Sequence, residues 1–144
     1  MPCSTIRISF LCPGEFADRL SLTASSRVLE VGPGSGYFSV EIARRTPQGH
    51  LELFDLQLEM LGKARRKLQA SGLNNVGYTQ GDAANLPFAD ASFDMATLVA
   101  VLGEVPESKD AQPVFIVSFA PAEESCFTNS FLTRIFSSFR RLQD

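Results

Sequence analysis

Hydrophobic and polar positions change period several times along the chain. Short apolar runs that end at a glycine or an acid are typical of buried strands. Between these runs, apolar residues recur every three or four positions, which is typical of helices that pack by one face. The predicted elements, in chain order, are a strand at 27–31, a helix at 37–45, a strand at 50–55, a helix at 56–72, and strands at 75–82 and 93–102.

This alternation of strands and helices predicts an α/β protein with a Rossmann-like, doubly wound and mostly parallel sheet. Right-handed crossovers would place helices on both faces of the sheet. Ligands of such sheets bind outside the carboxyl ends of the strands, where the strand order reverses. A glycine loop at 32–36 and the acids Asp55 and Asp82 all follow predicted strands, so we expect them to meet at this edge.

The chain changes character after about residue 106. Residues 107–113 are polar, and the remainder contains six of the twelve phenylalanines. An apolar run there predicts a further strand at 114–119. Apolar residues at every fourth position predict an amphipathic helix at 127–142.

Composition favours a globular domain, since 44% of the 144 residues are apolar and 20% are charged. A net charge of −3 gives no attraction to nucleic acid. No apolar run approaches the roughly 20 residues of a membrane span, and the segment 1–16 is a poor secretory signal. The three cysteines fit no metal spacing, so no metal site is predicted and the cytoplasm is the expected location, with mitochondria as the alternative.

The dense glycines at 32–36 raise the question of which ligand they approach. A phosphate-binding loop would continue with lysine and then serine or threonine, and none follows here. A dinucleotide-binding loop would have its third glycine at position 37, which is Tyr37. The remaining pattern places an acid, Glu30, two residues before the first glycine. An acid there disfavours a pyrophosphate and favours a cationic ligand.

Four motifs in this order carry a resemblance to a known family. The stretch LEVGPGSGYF (29–38) resembles the first motif of class I S-adenosylmethionine (SAM)-dependent methyltransferases. LFDLQLEMLGKARRKL (53–68) resembles the second motif. QGDAANLPFADASFDMATLVAVL (80–102) resembles the third and fourth motifs of the ubiquinone/menaquinone-biosynthesis-like, methyltransferase type 11-like branch. The resemblance covers about residues 25–106 and implies SAM as the cofactor and a small molecule as the methyl acceptor.

The resemblance implies that ten residues bind the cofactor. They are Glu30, Gly32, Pro33, Gly34, Gly36, Asp55, Leu56, Asp82, Ala83 and Leu98. The three glycines would lie against the methionine part of SAM, where any Cβ would collide with it. Glu30 would lie close to the ammonium group of SAM, directly or through water.

The other implied residues would bind the nucleoside part of SAM. Asp55 would accept hydrogen bonds from both ribose hydroxyls, and Leu56 would pack on the adenine face. Asp82 would accept a hydrogen bond from the adenine amino group, and Ala83 would donate its backbone N–H to the ring. Leu98 would help to close the pocket on the side of the acceptor.

The chemistry of methyl transfer requires alignment and exclusion of water, and it requires a base only if the acceptor must lose a proton. The sequence accordingly contains no visible catalytic triad. Glu104 is the candidate general base, and the alternative is an acid at the start of a helix. His50 begins the second predicted strand, at the end of the sheet away from the site, and is interpreted as a surface residue.

The resemblance stops after residue 106. The family's sheet continues with a helix, a strand reached through a turn like L-K-P-G-G, and an antiparallel pair, whereas no PGG occurs in this chain. The chain is therefore interpreted as truncated after the fourth strand, with the C-terminal strands incomplete or replaced. An exposed sheet edge would follow, through which the chain could self-associate.

The expected organisation has three parts. Residues 1–24 form an N-terminal extension, in which 14–22 supply part of a lid helix. Residues 25–106 form the SAM-binding core, and residues 107–144 form a divergent C-terminal segment. The expected function is SAM-dependent methylation of a small molecule by in-line transfer. The alternatives are a SAM-binding but inactive isoform or interaction protein, and a nicotinamide-dependent oxidoreductase, which Tyr37 disfavours.

Overall fold

A computed structural model of the chain describes residues 4–8, 13–82, 85–89, 92–101 and 114–120. Within these ranges the chain forms six strands and three helices. In chain order they are β1 (Ser4–Ile8), α1 (Pro13–Arg19), β2 (Arg27–Val31), α2 (Ser39–Arg45), β3 (His50–Asp55), α3 (Leu58–Ala70), β4 (Val76–Gln80), β5 (Met95–Val101) and β6 (Val114–Ala120). None of the described helices has the length and apolar character needed to cross a membrane.

All six strands belong to one sheet, in the order β1-β6-β5-β2-β3-β4. The strands β5, β2, β3 and β4 are mutually parallel, whereas β6 is antiparallel to both β5 and β1. The chain runs outward from β2 through β3 to β4 and then returns to the other side of β2 as β5. The strand order therefore reverses between β2 and β5, which is where ligands of open α/β sheets bind.

The two faces of the sheet are covered by different kinds of structure. Side chains alternate along each strand, so Val28 and Leu51 point to one face and Leu29 and Phe54 point to the other. The first face packs against α1, α2 and α3. The second face packs against residues of the segment between β4 and β5, including Leu86, Phe88 and Phe93. In the part of the chain that the structure describes, all three helices thus lie on one face, which departs from the expectation of helices on both.

The helix α1 is fixed to α2 by packing and by ion pairs. Phe16 is fully buried, and its ring packs edge to face against Phe38 with 4.9 Å between centroids. Arg45 donates to the Asp18 carboxylate at 2.9 Å and to the Glu41 carboxylate at 2.6 Å. The segment predicted to supply part of a lid therefore lies in the helical layer, and the lid role itself stays a prediction.

The strands predicted at 27–31 and 50–55 have the predicted bounds in the structure. The predicted helix at 37–45 begins two residues later, at Ser39, because Tyr37 and Phe38 remain in the turn after the glycine loop. The strand predicted at 114–119 is confirmed as β6. The helix predicted at 127–142 lies outside the described residues.

The structure corrects one expectation about the ends of the sheet and adds one strand. The strand β1 was not predicted, because its partner β6 is remote in sequence and nothing local marks the pairing. The expected exposed edge beside β5 is occupied, because β6 pairs along β5 from Val114 to Phe119 and β1 pairs with β6. β1 and β4 are the outer strands of the described sheet.

Candidate functional site at the carboxyl edge of the sheet

The glycine loop, residues 32–36, connects β2 to α2 at the carboxyl edge of the sheet. Gly32, Gly34 and Gly36 have φ angles of 68°, 59° and 86°, in the left-handed region that favours glycine. A Cβ at Gly34 would meet no atom within 4 Å, so the backbone there faces open space. A Cβ at Gly36 would lie 3.2 Å from the Cβ and 3.3 Å from the Cα of Ala64. Gly36 therefore allows the loop to lie close against α3.

We expect Gly36→Ala to lower the free energy of unfolding by about 2 kcal/mol, because it combines a left-handed backbone with crowding against α3. Gly62→Ala is the matched control. Gly62 lies within α3, and a Cβ there would meet no atom within 4 Å, so this change should stabilise by about 1 kcal/mol through helix propensity. Urea unfolding measures both. Equal effects of the two changes would contradict the packing assigned to Gly36.

Backbone hydrogen bonds join the ends of three strands at this edge. The Gly32 N–H donates to the Phe54 carbonyl at 2.8 Å, and the Gly81 N–H donates to the Asp55 carbonyl at 3.0 Å. The Asp55 carboxylate accepts a hydrogen bond from the Gln57 N–H at 2.9 Å, which orders the turn into α3. The glycine loop, the end of β3 and the segment after β4 are therefore held in a fixed arrangement.

Glu30 is a buried carboxyl on the helical side of β2, two residues before the loop. Its side chain is fully buried, and the Ser39 hydroxyl donates to Oε2 at 2.6 Å. The other oxygen, Oε1, has no hydrogen-bond partner among the described residues, and neither has the hydroxyl of Thr97, the buried cross-strand neighbour of Glu30 on β5. Burial raises the pKa of Glu30 to about 7, although the Ser39 hydrogen bond acts to lower it.

The polar groups at this edge suit an organic ligand that carries both a positive charge and hydroxyl groups. Glu30 Oε1 is a spare acceptor, and the half-buried Asp55 carboxylate retains acceptor capacity beyond the Gln57 N–H. Gly34 leaves room for a ligand to approach the backbone. Across the described ranges, no group of three or more His, Cys, Asp or Glu side chains is arranged to hold a metal ion.

The sequence of the chain matches a known protein family. A family model described as a methyltransferase domain matches residues 28–115, more than half of the chain. The chain belongs to the methyltransferase domain family. The matched range includes the glycine loop, Asp55 and Asp82, so the resemblance based on the four motifs is confirmed.

The relatives of this methyltransferase domain include enzymes of quinone biosynthesis. It is 42% identical over 71 residues to a demethylmenaquinone methyltransferase of Deinococcus radiodurans, which covers 49% of this chain and 29% of that protein. It is 38% identical over 87 residues to the ubiquinone/menaquinone biosynthesis C-methyltransferase UbiE of Vibrio campbellii, which covers 59% of this chain and 34% of that protein. The chain thus spans about a third of the length of these curated relatives.

Solved structures share the fold of the methyltransferase domain. A SAM-dependent methyltransferase from Aquifex aeolicus matches with a TM-score of 0.59 and 15% identity, over 74% of this chain and 88% of that one. A putative methyltransferase from Bacillus halodurans matches with a TM-score of 0.52 and 23% identity, over 66% of this chain and 54% of that one. The predicted Rossmann-like fold is confirmed by these matches.

The methyltransferase domain brings most of the predicted cofactor residues to the carboxyl edge. Asp55 ends β3, Leu56 directly follows it, and Asp82 lies exposed just after β4. The Leu56 side chain is 56% exposed, whereas Leu98 packs against the face of the sheet opposite the helices. Ala83 lies outside the described residues. The binding roles of these residues stay predictions.

The structure describes His50, which was interpreted from the sequence as a surface residue. His50 begins β3 at the amino end of the strand, its side chain is 44% exposed, and Nε2 lies 2.7 Å from the Glu52 carboxylate. The position agrees with the interpretation of His50 as a surface residue. Glu104, the candidate general base, lies outside the described residues.

The sequence did not predict which polar side chains surround Glu30. Ser39 and Thr97 are the polar neighbours of Glu30, and only the three-dimensional structure brings them together. A signal existed for Thr97, since it is a polar residue inside an otherwise apolar strand. Ser39 had none, because serine is common at the start of helices.

Aromatic packing positions the segment that carries Asp82. A Cβ at Gly81 would lie 2.7 Å from Cζ of Phe54, so glycine is needed for the chain to cross that ring. The Phe54 ring packs edge to face with Phe88 at 5.7 Å between centroids, and Phe88 packs likewise with Phe93 at 5.2 Å. This row of three rings holds the segment between β4 and β5 against the sheet.

Proposed function

We propose that this methyltransferase domain binds SAM at the carboxyl edge of the sheet and transfers the methyl group in line to a small-molecule acceptor. The observation that carries the proposal is the convergence of the glycine loop, Glu30 and Asp55 at the point where the strand order reverses. The names of the relatives support an aromatic, quinol-like acceptor, since one is a demethylmenaquinone methyltransferase and the other a ubiquinone/menaquinone biosynthesis C-methyltransferase.

The residues at this edge fit the amino-acid part of SAM. That part carries an ammonium group and is attached to a positive sulfur. Glu30 offers an unpartnered carboxyl oxygen beside the loop, and Gly34 offers backbone facing open space. An unpaired buried acceptor is costly to leave without a donor, so a cationic N–H donor, direct or through water, is a suitable partner for Glu30.

The residues after β3 and β4 fit the nucleoside part. We assign the Asp55 carboxylate to the ribose hydroxyls, since it is fixed at the strand end and retains acceptor capacity. We assign the exposed side chain of Leu56 to one face of the adenine. Asp82 is assigned to the adenine amino group, and Ala83 and Leu98 complete the proposed pocket.

The chemistry asks little of these side chains. SAM supplies a methyl group that its positive sulfur already activates. The chain's own residues would bind and orient the reactants and exclude water from them, which is sufficient for an in-line displacement. We keep Glu104 as the proposed base for an acceptor that must lose a proton, and we place the reaction in the cytoplasm.

A second candidate is a protein that binds SAM without transferring its methyl group, as an inactive isoform or an interaction protein. The cofactor residues Glu30, Gly34 and Asp55 support binding of SAM in either case. The two candidates share the cofactor site and differ in the acceptor pocket.

Calorimetry with SAM and with NADH tests the shared part of the proposal. We expect heat of binding with SAM and none with NADH. Binding of NADH alone would refute the proposal and favour an oxidoreductase. Transfer of labelled methyl from SAM to demethylated quinol-like acceptors then separates the candidates: product indicates the enzyme, and SAM binding without product for any acceptor indicates the second candidate.

A further inference from the structure

Three polar side chains below the glycine loop are not fully explained by a SAM site alone. They belong to Glu30, Ser39 and Thr97, and are here called the Glu30 cluster. All three side chains are buried. Ser39 donates to one oxygen of Glu30, while the other oxygen and the Thr97 hydroxyl have no partner among the described residues. Polar atoms buried in this way are rare unless something else completes their hydrogen bonds.

Charge around the Glu30 cluster favours a neutral carboxyl in the cofactor-free protein. Leu53 of β3 and Thr97 of β5 are the cross-strand neighbours of Glu30, and α2 presents Ser39. The charged residues of α2 are engaged elsewhere: Arg45 binds Glu41 and Asp18, and Arg44 binds Glu41. Among the described groups none supplies a compensating positive charge, and burial raises the pKa of Glu30 to about 7.

A cationic ligand at the glycine loop would change this balance. A positive charge close to a carboxyl favours its ionised form, and hydroxyl donors stabilise that form further. The cluster holds two such hydroxyls: Ser39, which already donates, and Thr97, whose hydroxyl is available on the neighbouring strand. The cluster can therefore hold a proton in the free protein and an ionised carboxylate in the complex.

We propose that the Glu30 cluster is a buried proton site that is filled in the free protein and releases its proton when the cationic cofactor binds at the glycine loop. This inference rests on the proposed function. It makes cofactor affinity depend on pH. Below pH 7 the affinity should fall about tenfold for each pH unit, because binding must then displace a proton from Glu30.

Calorimetry of SAM binding in buffers with different ionisation enthalpies measures the protons released. At pH 6 we expect the wild-type protein to release about 0.9 proton, whereas at pH 8 Glu30 itself should contribute only about 0.1. The α-amino group of SAM, with a pKa of about 8, is already protonated at pH 6 and adds nothing there. This series needs no variant, so it does not depend on the folding of a mutant.

Two glutamate-to-glutamine variants test whether the released proton comes from Glu30. Glu30→Gln cannot ionise and should bind SAM at pH 6 with no proton release. Glu52→Gln is the control, because Glu52 also lies within a strand and accepts a threonine hydroxyl at 2.6 Å, yet lies on the opposite face of the sheet from Glu30. It should leave the release unchanged.

Threonine variants test the positioning role of the Thr97 hydroxyl. Thr97→Val keeps the shape and removes the donor, so it should weaken SAM binding about tenfold and reduce the release at pH 6. Thr97→Ser keeps the hydroxyl and should restore both. SAM binding with no proton release at pH 6 would overturn the proton site and leave the proposed function standing. Absence of SAM binding at every pH would overturn the proposed function and the proton site with it.

Discussion

Asp55→Ala is expected to weaken SAM binding about a hundredfold. The change removes an acceptor assigned to two ribose hydroxyls, and the loss of charge-assisted hydrogen bonds of this kind amounts to about 3 kcal/mol. The side chain also accepts a hydrogen bond from Gln57 at 2.9 Å, which helps to order the start of α3. Asp55→Asn retains an acceptor for that contact and should still lose most of the affinity.

Asp94→Ala is the matched control for Asp55. Asp94 accepts a backbone hydrogen bond from the Arg27 N–H at 2.9 Å, as Asp55 does from Gln57, but it lies at the amino end of the sheet. It should leave the Kd for SAM unchanged. Calorimetry on the three variants and the wild type decides the point, and an Asp55→Ala protein with wild-type affinity would remove Asp55 from the site.

Between pH 4.5 and pH 7 the cofactor-free protein is expected to lose about 3 kcal/mol of stability through Glu30. In the unfolded chain the carboxyl releases its proton near its ordinary pKa of 4.5, whereas in the folded protein burial raises that pKa to about 7. Between these values the folded state binds more protons than the unfolded state, so stability falls as pH rises. The loss is complete above about pH 7.

Comparison of the wild type with Glu30→Gln isolates this contribution. Glutamine keeps an acceptor for the Ser39 hydroxyl and cannot ionise, so the two proteins should be similarly stable at pH 4.5. At pH 8 the variant should be more stable by about 3 kcal/mol. Urea unfolding at several pH values measures the difference. A difference that stays constant with pH would show that Glu30 is not the group that titrates.

Glu30 affects both the stability of the cofactor-free protein and the affinity for the cofactor. Glu30 destabilises the free protein at neutral pH, and a cationic cofactor would relieve that penalty on binding. The cofactor should therefore stabilise the protein more at pH 7 than at pH 5, as expected for ligand binding linked to a proton. The Glu30 carboxyl thus lowers the stability of the free protein and, at the same time, makes the site favour a cationic ligand.

The sequence predicted the central part of the fold well, because local patterns carry the relevant physics there. The runs at 27–31 and 50–55 are apolar and end at residues that terminate strands, and α3 has apolar positions at helical spacing. The order of these elements predicted a parallel sheet with a reversal of strand order. The glycines, Glu30 and the acids at strand ends could then be placed at the edge where ligands bind.

The sequence could not predict features that depend on contacts between remote segments. The strand β1 exists through its pairing with β6, and β6 occupies the edge that was expected to be open. The close approach of Gly36 to Ala64 of α3 is another such feature, and the role of Gly36 against the cofactor stays a prediction.

The sequence by itself determined the class of the sheet and the residue types at the candidate site, because period, glycine spacing and acids at strand ends are local properties. Its four motifs carried the resemblance to the family. Only the tertiary structure decided the state of Glu30. Its burial, the hydroxyl of Ser39 and the unpartnered Thr97 come from three separate segments, and the pKa of a carboxyl depends on what surrounds it in space.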